Sequence, residues 1–165
     1  MNPDIKITTP TQNYKMRVAS IIKKDNKVLF TKMNNNDFYC LPGGYASLGE
    51  TTKEALEREL LEEIGQKIIV EDYQGFIENF FTNNKNQNIH ELSFYYTASS
   101  QNLQEENFIH EEIDHGKKIT QNFFWLDINK LENYNIKPKE LIPYIKNNTP
   151  INHLIIKSKN HPFPL

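Results

Sequence analysis

The sequence predicts an α/β (α+β) sandwich built on a mixed sheet, and three observations carry that prediction. Several segments of strand-like alternation are interrupted by one helix that carries start and stop signals at its two ends. A second helical signal lies near the C-terminus. The chain has 165 residues, 38% of them hydrophobic and 12% aromatic, enough to bury a core in one unit. We therefore expect a single domain over residues 1–165, with a core at about 14–147 and a C-terminal tail at 148–165.

Residues 14–24 read as a strand with apolar groups on both faces, which places it centrally in a sheet. Asp25-Asn26 suits a two-residue hairpin turn, so 27–33 should pair back. A polar loop at 34–37 precedes a short strand at 38–41, which Pro42-Gly43-Gly44 stops. Thr51 and Glu54 have capping-box spacing and Gly65 sits where a left-handed cap belongs, so a helix runs between them. Residues 67–81 are strand-like with a bulge expected at Gly75. In 89–98, His90, Leu92, Phe94 and Tyr96 alternate against Glu91, Ser93, Tyr95 and Thr97. Residues 99–118 read as a long polar loop carrying five carboxylates, and 119–126 as the next strand. Pro138 suits the start of a last helix with Leu141, Ile142 and Ile145 inward, whereas Pro143 demands a break or a late start.

Composition narrows the partners. Nineteen basic against 21 acidic residues leave a net charge of −2, which argues against a nucleic-acid partner. No apolar run approaches the ~20 residues that cross a bilayer, and residues 1–10 lack the marks of a secretory signal. The lone Cys40 cannot form an internal disulfide, so a cytoplasmic location is expected. Oligomeric state stays open, with a homodimer as one outcome.

Chemistry concentrates in residues 44–65. Glu59, Glu62 and Glu63 fall within an arc of about 100° on the helix. Leu56, Leu60, Leu61 and Ile64 fill the neighbouring arc, which should bury against the sheet. Three carboxylates so spaced repel one another and lie past the first turn, where the helix dipole no longer helps. Two readings remain at this level: a solvated acidic face, or an oxygen-only site for a hard cation such as Mg²⁺ or Mn²⁺.

The full spacing is Gly44, Glu50, Arg58-Glu59-Leu60, Glu62-Glu63, Gly65, and it resembles the signature box of the Nudix hydrolase family. Arg58 fills the arginine position in a chain that uses 17 lysines and only two arginines. Leu41-Pro42-Gly43-Gly44 resembles the family's lead-in. Gln66 departs from the apolar residue expected after the box, and Ser47 from a frequent acidic one. The resemblance implies a Nudix fold, an α/β/α sandwich, and a metal-dependent hydrolase that cleaves the diphosphate linkage of a nucleoside diphosphate derivative. A small nucleotide or nucleotide-sugar is the implied partner. The alternative is a catalytically silent Nudix-fold binding module, but such modules typically lose box glutamates and this chain keeps them.

By the same resemblance Glu59, Glu62, Glu63 and the Gly43 carbonyl hold the metal, and Arg58 orients a helix carboxylate. Gly44, Glu50 and Gly65 are structural, with Glu50 fastening the loop to the helix. A further ligand is sought among Glu105, Glu106, Glu111, Glu112 and Asp114, with Glu112 the first choice. Arg17 is a candidate for touching a phosphate or a base. Glu78 and Glu91 are read either as ligand or base, or as carboxylates on a solvated face. His90, His110 and His115 are assigned surface roles and Cys40 a buried one. Neither the proline nor the tyrosine that marks ADP-ribose or dinucleoside polyphosphate enzymes stands at residues 81–84.

Overall fold

A computed structural model describes residues 2–33, 36–83, 85–114 and 117–158. The strands are β1 (Lys6–Thr8), β2 (Gln12–Lys24), β3 (Lys27–Met33), β4 (Ile69–Thr82), β5 (Asn88–Ser99), β6 (Phe108–Asp114), β7 (Lys117–Asp127) and β8 (Asn152–Lys157). Helix α1 covers Thr52–Ile64 and helix α2 covers Ile142–Asn147. The sheet order is β6-β7-β3-β2-β5-β4-β8, with β1 paired to β2. It is mixed: β2 runs parallel to β5 and β4 to β8, while the other pairs are antiparallel.

Helices cover opposite faces of this sheet. Leu56, Leu60 and Ile64 of α1 pack with Val18, Ile22, Tyr96 and Phe123. Leu141, Ile142 and Ile145 pack with Ala19, Ile21, Phe30, Ile77 and Tyr95 on the other side. Val18 and Ile22 thus face one layer while Ala19 and Ile21 face the other, the pattern of a doubly covered strand. Each such side chain removed from water contributes about 1.5–3 kcal/mol.

Local chemistry sets the ends of α1. Thr51 accepts from the Glu54 N–H and Glu54 accepts from the Thr51 N–H, a complete capping box. Gly65 closes the helix at φ +73°, and a Cβ there would lie 2.5 Å from the His110 ring, so close packing against β6 requires glycine as well. The expected bulge at Gly75 is present, with register shifts between Val70 and Gly75.

Several expectations need correction. The segment expected to be a loop at 99–118 contains β6, which pairs with β7. The expected tail supplies β8, parallel to β4. The short strand at 38–41 reduces to two bridges, Thr31 to Cys40 and Tyr39 to Ile136. Leu61, at the edge of the apolar arc, is 53% exposed, whereas Glu63 lies within that arc and is only 7% exposed. Pro143 falls in the first turn of a helix that starts late, at Ile142, after a 3-10 turn at Lys139–Leu141. Among the described residues no helix is long and apolar enough to cross a membrane.

Candidate active site

Residues 42–46 run alongside β2 and present the box to the sheet. The Val18 N–H donates to the Gly44 carbonyl at 3.0 Å, and the Ser20 N–H to that of Pro42 at 2.8 Å. Gly43 adopts φ +142°, and a Cβ on it would stand 2.1 Å from the Val18 carbonyl oxygen. A Cβ on Gly44 would stand 2.0 Å from Glu59 Oε2, so the Glu59 carboxylate occupies the space that a side chain would take.

Arg58 is the hub of the acidic cluster. Its Nε and Nη2 donate to the two oxygens of Glu50 at 3.1 and 2.6 Å. Nη1 donates to Glu59 at 2.8 Å and to Glu62 at 3.3 Å, and Nη2 also reaches the Tyr45 carbonyl at 3.0 Å. Glu50 in turn accepts from the Ser47 N–H at 2.6 Å, which ties the loop to the helix. The Arg58 guanidinium holds the Glu50 carboxyl below the usual range, and Glu50 foremost raises Arg58. One planar fork serves three carboxylates, which lysine's point charge cannot do.

Glu63 is held differently. Its Oε2 accepts from the Gly43 N–H at 2.9 Å and its Oε1 from Gln121 Nε2 at 2.9 Å. Gln121 is itself buried and accepts from Thr31 Oγ1 at 3.0 Å. Burial pushes the Glu63 carboxyl up to about 8 despite both donors, and burial also raises Glu59 despite Arg58. Between pH 4.5 and 8 folded Glu63 therefore keeps a proton that the unfolded chain has released. Its stabilising effect is complete below pH 4.5 and is lost as pH rises through 8. The melting temperature of chelator-treated protein is expected to fall between pH 5 and 8, and Glu63→Gln should flatten that fall. An unchanged slope in the variant would show that Glu63 does not carry it.

Arg17 stands between this cluster and a cleft on the α2 side. Its Nη2 lies 3.5 Å from the Gly43 carbonyl and its Nη1 4.0 Å from Glu91 Oε2, while its Nε is buried without a hydrogen-bond partner. Burial, the largest single influence, lowers its pKa, but Glu91 together with Cys40, Tyr45 and Glu63 more than offsets it and holds Arg17 above the ordinary value. Tyr45, whose ring centroid is 5.7 Å from the Arg17 guanidinium, covers it. Cys40 lines the cleft half-buried, its thiol pushed up to about 11 by burial.

The remaining candidates separate from the cluster. Glu91 is 8% exposed and not on a solvated face. Glu78 is paired on the outer sheet surface with His153 at 2.7 Å, and His90 lies 3.9 Å away. Glu105 is bound to Lys24 and Glu111 to Lys118. Glu112 lies on β6 opposite Ile119, its side chain outside the described residues like that of Asp114; His115 is outside them altogether. Sequence reasoning missed Gln121. The one available signal was a glutamine in the inward register of β7, two residues before Phe123 and four before Trp125.

The donor set fits a hard divalent cation. It is all oxygen, and two of its carboxylates are desolvated beyond what their partners offset. Among the described residues no three acidic, histidine or cysteine side chains stand as a closed cage. Glu59 Oε1 and Glu62 Oε2 both accept from Arg58 Nη1, and the second oxygen of each carboxylate lies outside that contact.

The chain matches the NUDIX domain over residues 14–145. It is 51% identical over 51 residues to an ADP-ribose pyrophosphatase of Methanocaldococcus jannaschii, a stretch spanning 29% of this chain and 30% of that protein. The crystal structure of a mutator MutT protein from Bacillus halodurans aligns at TM-score 0.57 and 15% identity, over 80% of each chain. An ADP-ribose pyrophosphatase from Streptococcus suis aligns at TM-score 0.57 and 12% identity, over 86% of this chain and 98% of that one. Those identities speak for a shared fold only. The domain match spans α1, the first part of α2 and all or most of six of the eight strands, and it includes every box residue from Gly44 to Gly65: this chain belongs to the NUDIX domain family.

Proposed function

We propose that the protein is a diphosphatase that cleaves the diphosphate linkage of a nucleoside diphosphate derivative by water attack at phosphorus, with Mg²⁺ or Mn²⁺ as cofactor. The observation that carries this reading is the complete acidic cluster around Arg58, with Glu63 buried beneath it. The M. jannaschii relative, an ADP-ribose pyrophosphatase by name, supports a substrate in which the diphosphate joins a nucleoside to a sugar. Residues 1–165 would work as one domain on a small molecule in the cytoplasm.

Glu59, Glu62, Glu63 and the Gly43 carbonyl would hold the ion. When bound, the ion neutralises diphosphate charge and acidifies water. The chain's own residues do the rest. Arg58 fixes the directions of Glu59 and Glu62, and Gln121 with the Gly43 N–H fixes Glu63. Gly43 and Gly44 keep the backbone bare where a phosphate must approach. Arg17, the cation nearest the Gly43 carbonyl, is placed to take a phosphate oxygen.

Chromatography of the two phosphate monoesters formed from each of a panel of NDP-sugars, ADP-ribose and dinucleoside polyphosphates tests the proposal. Turnover should need Mg²⁺ or Mn²⁺ and collapse in excess EDTA. Full turnover in EDTA would refute the cofactor, and binding without turnover of any member would point to the silent module.

A further inference from the structure

A buried polar relay crosses the α1 face of the sheet from β3 to the helix. Thr31 pairs with Phe123 and Met33 with Gln121, so Thr31 and Gln121 are diagonal neighbours on the face that Leu29 and Phe123 share with α1. Thr31 is 3% exposed, Gln121 5% and Glu63 7%. Thr31 Oγ1 donates to Gln121 Oε1 at 3.0 Å, and Gln121 Nε2 donates to Glu63 Oε1 at 2.9 Å. The relay has a direction. A carboxylate that holds a cation only accepts hydrogen bonds, so the amide must turn its NH2 end to Glu63 and its oxygen away. A buried amide oxygen needs a donor of its own, and the Thr31 hydroxyl meets it. Valine has nearly the same shape and needs no partner, so a hydroxyl beside fully buried Leu29 and Phe123 costs stability unless it is used. Hydrogen bonds exchanged with the Cys40 backbone, at 2.8 and 3.0 Å, fix the strand at Thr31, and its branched Cβ restricts the rotamer.

We propose that Thr31 is a positioning residue for the cation: through Gln121 it keeps Glu63 Oε1 aimed, and so sets how tightly the acidic cluster binds a divalent ion. The inference rests on the proposed diphosphatase in taking Glu63 as a ligand, and it concerns the binding of the ion alone. Without the hydroxyl the amide oxygen loses this donor, and the amide is no longer held one way round. Turned over, it would set its oxygen against a carboxylate oxygen, and the two would part. Glu63 would then keep the Gly43 N–H on Oε2 while Oε1 loses its fixed direction. Groups that orient a metal ligand in this way are worth about 10–100-fold in affinity for the ion.

Mn²⁺ titrated into the full chain, stripped of metal and dialysed, tests this without turnover, the free ion being read by electron paramagnetic resonance. Thr31→Val should bind Mn²⁺ about tenfold more weakly than wild type, and Thr31→Ser, which keeps the hydroxyl, within about twofold of it. Gln121→Leu should lose at least as much as Thr31→Val. Adding Thr31→Val to Gln121→Leu should cost less than about a further twofold, because Thr31 acts through the amide. A hydroxyl that merely supported the fold would lower the melting temperature in both backgrounds and leave Mn²⁺ affinity alone. Losses that multiply in the double variant would overturn the inference. A second measurement needs no variant. In NMR spectra of the metal-free chain the Gln121 Nε2 protons should exchange with water far more slowly than those of exposed Gln104. Equal exchange would overturn the inference even if Thr31→Val did not fold. Wild-type Mn²⁺ affinity in folded Thr31→Val would refute this inference alone, whereas a wild-type chain that takes up no Mn²⁺ would refute the cofactor of the proposed diphosphatase and this inference with it.

Discussion

Replacing Glu62 by glutamine is expected to cut turnover on the order of 10²-fold or more while leaving the metal-free fold intact. Glu62 is the most exposed of the three helix carboxylates, its side chain 38% exposed against 15% for Glu59, and the fold does not lean on it. It accepts only the longer of the two Arg58 Nη1 contacts, 3.3 Å against 2.8 Å for Glu59. Losing that contact and relieving the repulsion from Glu59 and Glu63 act in opposite directions, each a few tenths of a kcal/mol on an exposed helix. The melting temperature without metal should therefore barely move. Added Mg²⁺ should raise the wild-type melting temperature more than the variant's, because a ligand stabilises only the state that binds it. Activity retained within about threefold, under ~1 kcal/mol of barrier, would remove Glu62 from the site and restore the solvated-face reading.

What the sequence made legible follows from where its signals have physical force. The α1 boundaries could be read because Thr51, Glu54 and Gly65 act locally, through bonds within a few residues of themselves. The alternation of β5 could be read because both of its faces meet buried layers. Edge strands gave no such signal. β6 carries Ile109 and Ile113 at 64% and 80% exposed, and its carboxylates read as loop; it is a strand because β7 pairs with it. β1 is three exposed residues, and β8 owes its place to a parallel partner far away in sequence. The site divides in the same way. Spacing on a single helix exposed the box, but the clamp on Glu63 needs Gln121, 58 residues away, and no local pattern relates the two. Glu63 shows the limit most clearly: the periodicity that grouped it with the acidic stripe also sets it among Leu56, Leu60 and Ile64, and the fold buries it there.

The two adjacent glycines at the head of the box should fail in opposite ways when each is replaced by alanine. At Gly43 the new Cβ would meet backbone, 2.1 Å from the Val18 carbonyl oxygen and 2.8 Å from the Ala19 Cα, at φ +142°. Neither strand nor loop can give way there, because the hydrogen bonds on both sides, Val18 to Gly44 and Ser20 to Pro42, lock the loop onto β2. Steric overlap and backbone strain together should destabilise the protein by about 3 kcal/mol or more. At Gly44 the Cβ would meet only the far end of a flexible side chain, Glu59 Oε2 at 2.0 Å. That carboxylate can swing aside at a cost of about 1 kcal/mol in stability. It would then leave the seat beside Gly44 from which the proposed chemistry works. Gly44→Ala should therefore melt close to wild type yet lose at least about tenfold in turnover, whereas Gly43→Ala should lose stability first. Thermal melts and turnover measured on both variants separate the effects. Full activity in Gly44→Ala would show that the seat of Glu59 has no part in the reaction, and a wild-type melt for Gly43→Ala would show that the loop is not locked against β2.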